Sequence, residues 1–341
     1  MWSYLSDRMQ RVRIGDAKSK WSLLHKGVPQ GSILGPLLFN IFINDLFIIM
    51  GPSCNLYNFA DDNTIGKWNV DINTVKSQLE TQSDKTISWF SRNGMSANAS
   101  KFNALIIKTG TQNIDIDILV NGSTIPTVSS AKLLGVTIDN KLQFDEHVDI
   151  VCLKASRQVN AIARLAKYLN TSTLRMLYSA FINSNFLFCA NVWHFGLKGN
   201  FWKLERVNKR ALRVILKDYT STYPQLLLKS RTKSIFVQNL HVILIECFKY
   251  INGINPSILV NVFNYREHGY NTRGIQMLQL PQVSSETHGI NSFNYQAPKL
   301  WNSLPDNMKL AEDSEEFKLN IKDWRPECAC GSCIICKMHL V

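Results

Sequence analysis

The chain has 341 residues, 45% of them hydrophobic, and a formal charge of +12. That is enough apolar sequence for a sizeable core and two or three subdomains, and the basic balance favours a polyanionic partner over a neutral one. No run approaches about 18 uninterrupted apolar residues, and Met1 to Gln10 already carries Asp7 and Arg8 with no apolar core after them. Neither a spanning helix, a membrane partner nor a secretory signal is therefore expected, and the location expected is intracellular, nuclear or cytoplasmic.

In chain order, Val12-Arg13-Ile14 and Trp21-Ser22-Leu23 flank Gly15-Asp16, which reads as a hairpin. Gly27-Val28-Pro29-Gln30-Gly31-Ser32-Ile33-Leu34-Gly35-Pro36 packs three glycines and two prolines into a non-regular segment. Glycine permits close approach by a ligand or another backbone, although an ordinary glycine- and proline-rich loop has the same composition. Gln30 is its only long polar side chain. Pro36 suits the first turn of a helix. Leu37 to Met50 is apolar on nearly all sides and reads as one buried helix, within which Asp45 caps or bonds local backbone.

Asn58-Phe59-Ala60-Asp61-Asp62 lies between two short apolar runs, Cys54 to Tyr57 and Asn63 to Ile65. Adjacent carboxylates repel, and a divalent cation with a taste for hard oxygen ligands, such as Mg²⁺, removes that cost. Neighbours on a straight strand point to opposite faces, but at a hairpin tip both can reach one ion. Acidic residues are also common in turns that hold no metal. Asp71 to Arg92 has helical spacing, with Asn93-Gly94 as its stop. Asn98 to Lys101 leads into a strand over Phe102 to Lys108. Ile114 to Val120 alternates, Asn121-Gly122 signals a hairpin, Ser123 to Val128 returns, and Lys132 to Asp139 adds another strand.

From Phe144 the period turns helical, with Val148, Val151, Ala155, Val159, Ile162, Leu165 and Leu169 on one face, then a second helix over Leu174 to Asn183. No acidic residue occurs from Ile150 to Arg175, while Lys154, Arg157, Arg164, Lys167 and Arg175 do. Lys203, Arg206, Lys209, Arg210, Arg213 and Lys217 follow. Mixed sign is the usual surface pattern, so this excess suits a phosphate backbone; a solvated helix face is the plain alternative. Ile235 to Ile251 is a further helix, and Asn264 to Gln282 reads as extended. Trp301 and Phe317 read as core anchors rather than base-stacking platforms. Cys54, Cys152, Cys189 and Cys247 sit in apolar settings and suit reduced thiols. Cys328, Cys330, Cys333 and Cys336 cluster at the end; four thiolates can hold Zn²⁺, but the spacing lacks the long loop between two pairs, so an unstructured tail stands beside the zinc site.

Gly27 to Pro36, Ile43-Asn44-Asp45-Leu46 and Phe59-Ala60-Asp61-Asp62 together resemble the palm motifs of reverse transcriptases, specifically the non-LTR (LINE-type, jockey-like) retrotransposon class. The resemblance implies an RNA-directed DNA polymerase with Asp61 and Asp62 as catalytic Mg²⁺ ligands of a two-metal site, one ion acting on the attacking 3′-oxygen and one on the leaving pyrophosphate. It implies that Gln30, Gly31, Phe59 and Ala60 line the template and nucleotide site. Lys101 is then the candidate that protonates pyrophosphate, with a solvated edge lysine as the alternative. Leu133-Leu134-Gly135-Val136 resembles the primer grip, in which Leu134 and Gly135 approach the primer backbone, although a strand glycine also marks bulges. RNA template, DNA primer and dNTP are the implied partners.

The organisation expected is α+β: a partial palm of antiparallel sheet and helices over 1–142, an all-α thumb over 143–233, a C-terminal helical region over 234–326 and the Cys-rich tail over 327–341. The family's fingers and the motif supplying its third aspartate lie upstream of the matched motifs. Asp16, Asp45 and Asp71 do not match that motif. The expectation is a fragment that cannot polymerise alone, unless a partner chain supplies the carboxylate. A non-catalytic nucleic-acid-binding protein and a degraded element without selected function are the alternatives.

Overall fold

A computed structural model describes residues 2–51, 54–108, 116–196, 200–256, 259, 262–266 and 277–326. Helix and strand are both present, as an α+β chain requires. Two compact units divide it: Met1–Ala104 with Gln112–Val128, and Leu105–Thr111 with Ser129–Val341. Every sheet among the described residues is two-stranded.

The first unit opens with a short helix α1 (Trp2–Leu5) and a long ribbon. In the ribbon β1 (Met9–Gln10) pairs with β4 (Ser22–Leu23), and β2 (Arg13–Ile14) pairs with β3 (Ala17–Lys18) around the Gly15-Asp16 turn. After the glutamine loop come α2 (Leu34–Ile43) and α3 (Leu46–Met50). The single buried helix expected over Leu37 to Met50 is thus two helices, broken at Asn44-Asp45. It is also less buried than its composition suggested. Gly35, Ile43, Leu46 and Met50 are buried, while Leu37, Ile41 and Ile48 face outward. An all-apolar sequence is buried only where a neighbouring element covers it, and α4 (Ile72–Arg92) covers one side. Ile43, Leu46, Trp89 and Phe90 form that small core, with the Phe42 and Trp89 rings 5.7 Å apart.

Helix α4 starts where the sequence marked it. Asp71 accepts from the Asn73 and Thr74 amides at 3.1 and 3.0 Å, and Asn93 caps the far end. Between α3 and α4 run β5 (Asn55–Phe59) and β6 (Asp62–Gly66), an antiparallel hairpin. The strand expected over Phe102 to Lys108 is regular only at β7 (Ala104–Leu105). β8 (Ile118–Val120) and β9 (Ser123–Ile125) close through Asn121 and Gly122, both at positive φ, as the hairpin signal requires. Carboxylates on α4 hold this hairpin: Glu80 accepts from the Leu119 amide at 2.8 Å and Asp84 from Asn121 at 2.7 Å. β10 (Thr127–Val128) ends the unit.

The longer run of the second unit, Ser129–Val341, opens with a hairpin. β11 (Ser130–Leu133) pairs with β12 (Val136–Asp139). The single strand expected over Lys132 to Asp139 is therefore two strands joined by Leu134 (φ +47°) and Gly135 (φ +90°). Val136 is buried in the same core as Val148 and Val151 of α5 (Asp145–Leu165), which ties the hairpin to the helices. Asp139 secures the link by accepting from the amides of Lys141, Gln143 and Phe144 at 2.9, 3.1 and 2.6 Å.

Then follow α6 (Thr171–Leu177), a π-helical turn over Tyr178–Asn183 and α7 (Ser184–Leu187). The helix expected over Leu174 to Asn183 therefore runs longer at both ends. α8 (Ala190–Trp193), α9 (Phe201–Leu216), α10 (Tyr223–Ser230) and the first half of α11 (Ile235–Ile251) complete the core that holds Val136, and α12 (Phe293–Asn302), α13 (Asp306–Lys309) and α14 (Ser314–Asn320) pack with the second half of α11 in another cluster. Trp301 and Phe317 are buried, as expected of core anchors. Among the described residues no single helix is long and apolar enough to cross a membrane. Of the extended segment expected over 264–282, residues 267–276 lie outside the described residues, and Tyr265 pairs with Leu278 across them. The four tail cysteines lie outside the described residues too.

Candidate active site and nucleic-acid interface

The β5–β6 hairpin presents the aspartate pair. Phe59 and Asp62 are the last cross-strand partners, leaving Ala60 and Asp61 as a two-residue turn. Ala60 takes φ +52°, a value more natural to glycine. Asn63 fixes the turn by donating its side-chain amide to the Asp61 carbonyl at 3.0 Å. Alternation along β5 puts Tyr57 and Phe59 on the open face, 59% and 65% exposed, and turns Leu56 and Asn58 inward. Both carboxylates project into solvent, and among the described residues no hydrogen bond or ion pair engages either side chain.

Adjacent carboxylates with no protein cation beside them fit part of a divalent-metal site. They do not complete one. Among the described residues no group of three or more His, Cys, Asp or Glu side chains converges to hold an ion. Of the other aspartates considered, Asp71 is committed to its cap, and hydrogen bonds from the Thr74 hydroxyl and from backbone amides hold it below the usual carboxylate range. Asp16 sits at the tip of the β2–β3 turn, and Asp45 precedes α3 without capping it through its side chain. Two ions need more carboxylate than this pair supplies.

Gln30 and Gly31 are exposed in the loop before α2. That loop is built tightly at its far end. A Cβ on Gly35 would lie 2.9 Å from Ser32 Oγ and 3.0 Å from the Pro29 carbonyl oxygen. Lys101 ends a 3₁₀ turn capped by Asn98 and is exposed; among the described residues nothing pairs it with Asp61 or Asp62. Leu134 and Gly135 form the tip of the β11–β12 turn, so Gly135 is neither in mid-strand nor at a bulge. A Cβ there would meet the Phe188 ring at 3.2 Å.

In the second unit α5 and α9 run parallel, tied at three levels. Lys203 Nζ meets Asp149 Oδ1 at 2.5 Å, Arg210 donates to Asn160, and Lys217 Nζ donates to the Leu169 carbonyl at 3.1 Å. Arg175 donates to the Ser230 and Lys229 carbonyls, each at 3.1 Å. Those cations are spent inside the fold. Lys154, Arg157 and Arg164 are different: they lie on one exposed stripe of α5 with no hydrogen bond or ion pair among the described residues. Composition could not separate the two sets.

Residues 1–138 match the family model described as reverse transcriptase (RNA-dependent DNA polymerase). Curated relatives extend the likeness into the helical unit. The probable RNA-directed DNA polymerase from transposon BS of Drosophila melanogaster is 27% identical over 228 residues, covering 62% of this chain and 25% of that protein. The corresponding protein of the X-element, also from Drosophila melanogaster, is 26% identical over 231 residues, 62% of this chain and 24% of its own length. The RNA-directed DNA polymerase from mobile element jockey of the same fly is 28% identical over 152 residues, 43% of this chain and 16% of its own length. The chain thus spans about a quarter or less of these relatives. No solved structure matches it. The likeness over this segment is thus to RNA-directed DNA polymerases of mobile elements, and the reverse transcriptase family generally works with Mg²⁺.

Two features of the reverse transcriptase segment escaped sequence reasoning. One is the full exposure of the ribbon from Met9 to Leu23, whose hairpin turn at Gly15-Asp16 was expected and whose Arg11, Arg13, Lys18 and Lys20 outnumber Asp16. Its charge was legible, but its isolation was not. The other is the set of contacts that Tyr4 and Arg8 make with the glutamine loop, for which the sequence carries no signal.

Proposed function

We propose that the chain is the palm and thumb portion of a non-LTR retrotransposon RNA-directed DNA polymerase, acting on an RNA template, a DNA primer and dNTPs. The observation that supports it best is the solvent-facing Asp61-Asp62 turn on a two-stranded hairpin inside a reverse transcriptase segment. In this reading Asp61 and Asp62 are part of the Mg²⁺-holding carboxylates, with at least one more from outside the described residues. Phe59 and Ala60 shape the hairpin tip, Gln30 and Gly31 face template and nucleotide, and the β11–β12 turn at Leu134 and Gly135 meets the primer backbone. Lys101 stays a candidate proton donor to pyrophosphate. The α5 stripe contacts phosphates without reading sequence.

Primer extension by the chain on an RNA template with Mg²⁺, beside an Asp61→Ala, Asp62→Ala control, tests this. Extension lost in the control means that the missing carboxylate comes from this chain or from a second copy. No extension, with primer–template still bound, favours the second reading, a nucleic-acid-binding protein that does not polymerise; the unengaged α5 cations support that reading. Neither extension nor binding would sink both.

A further inference from the structure

The glutamine loop needs an external brace. Gly27 and Gly31 both take positive φ, +82° and +79°, with nothing within 4 Å of where a Cβ would be. Sterics therefore do not hold the loop on either side of Gln30. Its far end is held from within: Ser32 Oγ donates to the Pro29 carbonyl at 2.7 Å and accepts from the Gly35 amide at 3.1 Å.

The near end is held by Arg8. Its Nη2 donates to the Gly27 carbonyl and, at 3.3 Å, to that of Lys26; its Nε reaches the Leu5 carbonyl at 3.3 Å. Its own carbonyl accepts from the Leu24 amide at 2.7 Å. One residue thus joins the end of α1, the base of the ribbon and the entry to the loop. Among the described residues Arg8 has no carboxylate partner, so its guanidinium fork is directed to carbonyls alone. Tyr4 completes the arrangement, its hydroxyl bonding Ser32 Oγ. Serine has one proton to give, and Pro29 receives it, so Tyr4 is the donor.

The geometry points to Arg8 and Tyr4 as positioning residues that fix the pose of the glutamine loop. Neither touches Gln30; Arg8 holds the backbone before it and Tyr4 the Ser32 hydroxyl after it. The functional half of the inference rests on the proposal that this loop meets template and nucleotide.

Two readouts on the full chain separate the two halves. Amide hydrogen exchange over residues 30–35 should speed up in Arg8→Ala and in Tyr4→Phe, with exchange in α4 unchanged; no change in the loop overturns the brace. Affinity for an RNA–DNA primer–template supplies the second. Arg8→Ala should weaken it about tenfold, the scale of a lost hydrogen bond to a charged group, and Arg8→Lys should recover part. The Arg8→Ala, Gln30→Ala double variant should bind no worse than Gln30→Ala alone, because both changes act through one loop. Independent losses, with a shallower salt dependence in Arg8→Ala, would instead make Arg8 a phosphate contact and overturn the positioning role. Faster loop exchange with Gln30→Ala harmless would leave the brace standing and remove the template reading beneath it.

Discussion

At the scale of single residues, tightness and burial set the sharpest expectations. Gly35 is the one glycine of its loop where a side chain would meet other atoms. An alanine Cβ would press on the Pro29 carbonyl, which is backbone and does not swing aside. Gly35→Ala should cost about 1–3 kcal/mol, the usual penalty of overpacking, and thermal melting would show it; Gly31→Ser, in open space, tests φ strain alone. His194 carries a pH dependence. Complete burial among Phe195, Phe201 and Phe236 holds it neutral, pushed down to about 3 from 6.5. Above about 6.5 neither state is protonated there. Below it the unfolded chain takes up a proton that the folded chain refuses, so stability falls as pH drops towards 3, by at most about 1.4 kcal/mol per pH unit. His241, pushed down to about 4 by burial, adds the same sign. Glu205 opposes them: burial raises it against its bonds from Tyr223 and Phe236, so its contribution falls as pH rises above the ordinary 4.5. His194→Phe should flatten the acid limb of a melting-temperature profile between pH 6.5 and 4. An unchanged slope would remove His194 as its cause.

At the scale of elements, α5 and α9 divide their cations between the fold and a ligand. Lys203, Arg210 and Lys217 tie the two parallel helices together, whereas Lys154, Arg157 and Arg164 have nothing to hold. Changing the second set to glutamine should leave the melting temperature nearly unchanged. It should also reduce the slope of log affinity against log salt by about 0.7–0.9 per residue, as released counterions require. Changing the first set should do the reverse, lowering stability with little effect on slope. Equal effects from both sets would mean that the stripe is a solvated face. Much of this was legible in sequence: the 3.6-residue period of α5, the Asn93-Gly94 stop of α4 and the Asn121-Gly122 turn are local signals with local causes. The β11–β12 hairpin was not, because a Leu134-Gly135 turn at positive φ lies inside a run that reads as continuous strand.

At the scale of the whole molecule the two units differ in how well they are founded. The second has a contiguous core running from Val136 to Leu240, continued by a cluster around Phe248, Trp301 and Phe317. The first buries Ile43, Leu46, Trp89 and Phe90 as its core cluster, and its sheets are two-stranded ribbons, which are marginal alone in water. Residues 129–326 expressed alone should therefore keep helical circular dichroism and a cooperative melt. Residues 1–128 should show neither. A cooperative melt of the first piece would mean that its exposed ribbons and its α2–α3 face need no covering.

By itself the sequence determined the resemblance to reverse transcriptases, the helix periods, the turn chemistry and the adjacency of Asp61 and Asp62, because each depends on residues close along the chain. Only the tertiary structure decided which apolar residues are buried, which cations are spent on helix ties, and that Arg8 and Tyr4 brace a loop they do not adjoin. Those outcomes depend on what lies opposite in space. An arginine reads the same in sequence whether it faces a carbonyl, a carboxylate or water.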